Sequence, residues 1–348
     1  MKKVLIIISI IAVFALSPTA YAALEDVEDA IPSEAREALD DAETGNFDSA
    51  LGSIWRFVRD RWDDALSDTL KTGAAVMLVP VLCSLAAAVY DDKLPDAVNT
   101  VGVMAVSALC LGGADFIGLG RTTMDELDSF AKVLLPTLTA VTGAGGAVSS
   151  AAAKYAAASL FLEILMHIGN NVILPLICAF IAASVGSAAF GGLESAVKLT
   201  KWAVTTLLTL LVLIFTLYIS VTGIISGSAD QAAVKAAKTA MSLSMPVVGG
   251  MLSDAASAVA NGTLILRNTV GVTGMAAVLA VCAVPFLRLG LRHLVFKAVA
   301  ALTEPIGGER LAKLIGNIGT AMGMLMGLCG AMAVMLYITI ISMMKAVV

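Results

Sequence analysis

Ionisable side chains set inside runs of apolar residues are the first candidates for chemistry in this chain. Asp115, Glu163 and His167 are such groups. Glu163 and His167 are four residues apart and so share one helix face. Within a membrane, such charged groups usually face protein or water. Asn170 and Asn171 follow, then Pro175, where a helix is expected to break. The residues leave two readings open: a polar pathway through Asp115, Glu163, His167, Asn170 and Asn171, or an interfacial Glu/His pair with an asparagine pair satisfied in a helix break. No second aspartate in a comparable context accompanies Asp115, so the paired aspartates of an intramembrane protease are missing. Two histidines in all, and five cysteines with no C-x-x-C spacing, give no metal or redox motif. The expectation is no catalytic residue, no metal and no cofactor.

Two further groups concern the backbone. Pro246, Gly249 and Gly250 permit sharp bends, and Ser253 and Asp254 are residue types that cap a half-helix. With Asn268 they form a candidate broken-helix motif; plain helix capping is the alternative. Gly319, Gly323, Gly327 and Ala331 recur at four-residue steps. Such a small-residue ridge allows close helix approach, within a subunit or between subunits.

The elements that must carry these residues are set by composition. Of 348 residues, 59% are apolar and 14% charged, with a mean hydropathy of +0.92. A soluble domain keeps roughly a quarter of its residues charged, and the apolar excess points to a bilayer as solvent. Lys2 and Lys3, an apolar run to Leu16, and Ala20-Tyr21-Ala22 form a signal-peptide pattern over residues 1–22. Residues 23–70 are then an acidic extracytoplasmic segment. It reads as two helices, the first from Pro32-Ser33 to Thr44 with a stop at Gly45, the second from about residue 48 to 70. The second shows one apolar stripe of Leu51, Ile54, Trp55, Val58, Trp62, Leu66 and Leu70. Such a helix suits either the headgroup layer or a partner protein. The acidity of this region argues against nucleic acid as a partner.

Residues 71–348 read as a multi-spanning membrane domain, an all-α polytopic bundle with broken or re-entrant helices. Expected spans are 72–90, 97–119, 133–153, 159–190, 202–226, 270–291 and 321–344, with 240–266 apolar but interrupted. If all eight segments cross, Lys93, Lys154, Lys235, Lys238, Arg288, Arg292, Lys297, Arg310 and Lys313 fall inside, and Arg121, Lys132, Lys198, Lys201, Arg267 and Lys345 outside. That is a weak positive-inside bias, with Lys198 and Lys201 against it. Landmarks also recur in order. Gly191-Gly192-Leu193-Glu194 precedes Lys198, Gly307-Gly308-Glu309 precedes Lys313, and Pro136 and Pro175 are spaced like Pro246 and Pro285. They suggest two copies, 130–226 and 240–344, inverted if each crosses three times, as in transporters. Chance matching in a low-complexity apolar alphabet is the competing explanation.

One block is specific. It runs through Ala236-Ala237-Lys238-Thr239-Ala240, Met245-Pro246-Val247-Val248-Gly249-Gly250-Met251-Leu252-Ser253-Asp254-Ala255, Arg267-Asn268-Thr269-Val270-Gly271 and Glu304-Pro305-Ile306-Gly307-Gly308. Together these resemble the stage III sporulation protein AE family. The resemblance implies a non-enzymatic, multi-pass component of the mother-cell membrane around the forespore. It implies as partners the lipid bilayer, the other proteins of the stage III sporulation operon, and a forespore membrane protein, forming a channel or feeding-tube complex. It carries no catalytic residues. The rival expectation from the residues is a stand-alone secondary transporter or permease.

Overall fold

The computed structural model describes residues 24–89, 95–112, 116–144, 148–217 and 249–344. Residues 1–22, Asp115 and Pro246 therefore lie outside the described residues. What is described is almost entirely helical, with no strand. The fold is an all-α membrane bundle.

After a short turn of helix at 24–29, α1 (Ser33–Leu39) is followed by a corner at Gly45 with φ of 79° and then α2 (Phe47–Val89). Next come α3 (Pro95–Gly112), α4 (Phe116–Ala144) and α5 (Val148–Ile168). A π-helical turn, Gly169–Ile173, joins α5 to α6 (Leu174–Phe190). α7 is Glu194–Leu217. α8 (Gly249–Met344) folds back on itself at Gly308, giving a first limb Leu264–Ile306 and a second limb Gly308–Met344. Five stretches are long and apolar enough to cross a membrane: Phe47–Ala88, Tyr155–Phe190, Glu194–Leu217 and the two limbs.

Several expected boundaries move. The amphipathic helix of 48–70 and the span of 72–90 are one helix, α2. The stretch 97–119 is divided between α3 and α4. The stretch 133–153 contains the end of α4 and the start of α5, so it is shared between two helices and is not one span. At Asn170, Asn171 and Pro175 the helix does not break. A proline ring clashes with the carbonyl four residues back, and the chain absorbs this by widening: Leu174 N–H donates to the Gly169 carbonyl, five residues back.

The two limbs of α8 form the axis on which the other helices pack. Their antiparallel register is fixed by Gly316 on Ala300, Gly323 on His293, Gly330 on Phe286 and Gly271 on Met344. α2 runs parallel to the first limb: Gly45 abuts Thr269, Asp68 pairs with Arg292, and the Thr303 hydroxyl oxygen lies 3.6 Å from the Met77 sulfur. α4 lies on both limbs, with Leu134 against Gly274 and the Cys329 thiol donating to the Gly120 carbonyl at 3.5 Å. Fully buried Phe116, Phe130, Phe180, Phe215 and Phe296 fill the spaces between. In lipid the hydrophobic effect does not drive helices together, so close fit through small residues must.

The N-terminal helices pack on the axis by Val27, Ile31, Ala35, Ala38, Ala50, Ile54 and Phe57. That corrects the expected stripe of α2. Of its members Ile54 turns inward, whereas Leu51, Trp55, Trp62 and Leu70 are exposed. The inward face is instead Ala50, Ser53, Ile54, Phe57, Thr69 and Val76, which keeps the same helical spacing one step around.

Candidate functional site

Apart from Asp115, which lies outside the described residues, the polar groups of the candidate pathway can now be placed. Glu163, His167 and Asn171 share an exposed face along α5 and the π turn. Asn171 Nδ2 and His167 Nδ1 are 3.2 Å apart. Glu163 bears electrostatically on Lys132 of the neighbouring α4. Asn170 points the other way, with its Oδ1 buried and unpartnered among the described residues. The structure thus joins His167 to Asn171 and parts both from Asn170. Within one chain these groups line an outer face, not an enclosed path.

The broken-helix motif lies at the start of α8. Gly249, Gly250, Ser253 and Asp254 are helical in backbone, and the helix continues through Asn268, which is exposed. Beside Asn268 sits Arg267, which the sequence places in the family-like block and among the outside cations but not among the candidate site residues. Arg267 is 5% exposed, and its Nε has no hydrogen-bond partner among the described residues. Thr142, fully buried near the end of α4, has an unpartnered hydroxyl as well. A buried charge without a counter-charge is costly, and its signal in the sequence was simply an arginine within an otherwise apolar run.

The small-residue ridge faces inward. A Cβ on Gly319 would stand 3.1 Å from Phe296 Cβ, and one on Gly323 2.9 Å from His293 Nδ1. His293 is held there, its Nδ1 2.7 Å from the Gly319 carbonyl oxygen, so in the neutral ring Nδ1 carries the proton. Lys297 donates to the Thr320 hydroxyl at 2.7 Å across the same seam. Gly327 faces Leu208 of α7 at an ordinary 3.7 Å, and Ala331 is buried. The ridge packs this chain's own helices.

The glycine landmarks turn out to be corners. Gly191 and Gly192 have φ of 73° and 81°, and Gly308 has φ of 82°. These values are cheap for glycine alone. Each reverses the chain between two long helices, and the two corners touch: Lys313 Nζ lies 3.3 Å from Glu194 and 2.7 Å from Glu309. Inverted copies would put equivalent corners at opposite ends of the bundle. Here they are side by side, so the two hairpins run in the same sense and the expected inversion is corrected. Lys198 and Lys201 consequently lie at the same end as Lys297, Arg310 and Lys313, not opposite them. At the other end an open hollow of about 310 Å³ is lined by Glu28, Asp29, Asp40, Glu43, Arg36 and Thr273. The molecule has an acidic end and a basic end. Among the described residues no three His, Cys, Asp or Glu converge as a metal site would require.

Comparison with known proteins gives two matches. The family model described as Stage III sporulation protein AE matches residues 33–347. Stage III sporulation protein AE of Bacillus subtilis (strain 168) is 27% identical over 198 residues, covering 55% of this chain and 49% of the relative. The chain thus aligns with about half the length of that curated relative. No solved structure matches.

Proposed function

Because the chain belongs to the stage III sporulation protein AE family, we propose that it is a non-enzymatic membrane component of a sporulation channel complex. In this reading it sits in the mother-cell membrane around the forespore. Its partners are the other proteins of its operon and a forespore membrane protein. The observation that carries the proposal is the family match, which runs over nearly the whole described chain.

The geometry supports a partner-dependent role. Glu163, His167 and Asn171 form a polar strip on the outside of an apolar helix. Facing lipid, a single charge costs about 3 kcal/mol on insertion scales. Packed against a second chain, the same strip becomes one wall of a polar path. Trp55 and Trp62, exposed on the polar half of α2, offer a second contact surface at the acidic end.

Charge sets the orientation in this reading. The basic end, with the two glycine corners, faces the cytoplasm by the positive-inside rule, and the acidic end faces the space between the two membranes. α2, the α3–α4 pair, α5–α6, α7 and the two limbs then make six passages. Deleting the gene in a spore former is expected to arrest development after engulfment, and normal spores would refute the proposal. The rival, a stand-alone transporter, loses the inverted repeat that favoured it. Solute movement by the purified chain alone in liposomes would restore it.

A further inference from the structure

At the basic end, three helices bring cations together, and only some of them have acidic partners among the described residues. Lys313 is already held between Glu194 and Glu309, and Arg292 is paired with Asp68. Lys201 of α7 and Lys297 of the first limb are different. Both are exposed, and the Lys201 ammonium bears on Lys297 as a like charge. Thr320 of the second limb fixes Lys297 by accepting its hydrogen bond, a neutral contact that leaves the charge in place. Neither lysine has an acidic partner among the described residues. Glu194 on Lys313 and Leu208 on Gly327 set α7 along the second limb so that Lys201 lies level with Thr320, and two like charges at one level are relieved by an anion between them.

The surroundings name the kind of anion. Trp202, next to Lys201, is 63% exposed, and Phe190, Leu193 and Leu199 at the same corner are exposed as well. Outward aromatic and aliphatic groups beside lysines are the pattern of side chains that sit at headgroup depth. At that depth the anion available is the phosphate of a lipid. We propose that Lys201 and Lys297, with Thr320 positioning the latter, hold the phosphate of an anionic phospholipid, whose acyl chains run from there along α7 past Trp202 toward the exposed Leu213. A zwitterionic lipid is disfavoured because its own cation would face the two ammonium groups. This site rests on the membrane bundle and not on the sporulation role, so each can fail without the other.

The test uses the full chain purified in a neutral detergent. Phosphatidylglycerol, phosphatidylcholine of the same acyl composition, and inorganic phosphate are added in turn, while thermal unfolding and lipid retention by native mass spectrometry are read. Phosphatidylglycerol is expected to raise Tm by several degrees and to be retained, with little effect of the other two. The double variant Lys201→Gln/Lys297→Gln should lose that selective gain and the retained lipid, yet keep its Tm in phosphatidylcholine. Lys201→Arg/Lys297→Arg should restore the gain, and Lys132→Gln on α4 should leave it intact. Equal stabilisation by the two lipids, the same gain from inorganic phosphate, or an undiminished gain in the double glutamine variant would each overturn the proposal.

Discussion

Single side chains decide how tightly the α8 hairpin closes. Gly323 leaves room for the His293 ring, and that ring cannot swing aside without giving up its bond to the Gly319 carbonyl. Gly323→Ala is therefore expected to destabilise the protein by about 1–3 kcal/mol, the usual penalty for overpacking. Gly327→Ala, one turn on, should change stability by less than about 0.5 kcal/mol, because its neighbour stands at ordinary contact distance. Thermal unfolding of the two variants in one detergent checks the contrast, and equal losses would contradict it. Arg267 poses the opposite question. Its charge is buried with no acid against it among the described residues. Arg267→Met should leave stability of the isolated protein equal or raised. A loss of several kcal/mol would mean that the guanidinium has a counter-charge after all. The sequence pointed to Glu163 and His167 but not to Arg267 or His293. Hydropathy flags a charge within an apolar run, yet it does not tell whether a neighbouring helix covers it.

At the scale of elements, α2 shows what the pattern of residues does and does not reveal. Its helical period is plain from the sequence, but two apolar stripes compete for the inside. The larger residues, Trp55 and Trp62, lost to Ala50, Ser53, Ile54 and Phe57. Beside lipid or a partner chain, an apolar residue is as much at home outside as inside, so size and hydropathy do not choose the buried face; close approach of small residues does. Phe57→Ala is expected to cost about 3–5 kcal/mol, whereas Trp55→Ala should move stability by less than about 0.5 kcal/mol. Chemical denaturation of both variants decides between the two stripes, and a larger loss for Trp55→Ala would reinstate the first. The glycine corners were legible as recurring landmarks because positive φ demands glycine. Their side-by-side placement was not legible, since it depends on an ion pair between residues 119 positions apart, Glu194 and Lys313. The π turn was half legible. Pro175 signalled a disturbance, but whether a helix breaks or widens depends on the packing that holds both ends in line.

For the whole molecule, the proposed orientation rests on the separation of charge. Acidic α1 and its flanking turns pack where α2 and the first limb begin, and the lysines of α7 and α8 gather where both hairpins turn. The expected count of crossings failed at α3, α4 and α5, because apolar content alone does not show where a helix ends. The family resemblance, by contrast, rested on backbone-defining residues such as Gly307-Gly308, and the match over residues 33–347 bears it out. The most direct test of the account is labelling of engineered cysteines in intact cells by a membrane-impermeant maleimide, in a variant whose five native cysteines are replaced. Asp41→Cys should label from outside, while Ser195→Cys and Glu309→Cys should both stay unlabelled until the membrane is permeabilised. Labelling of one corner and protection of the other in intact cells would contradict the parallel hairpins and the bundle built on them.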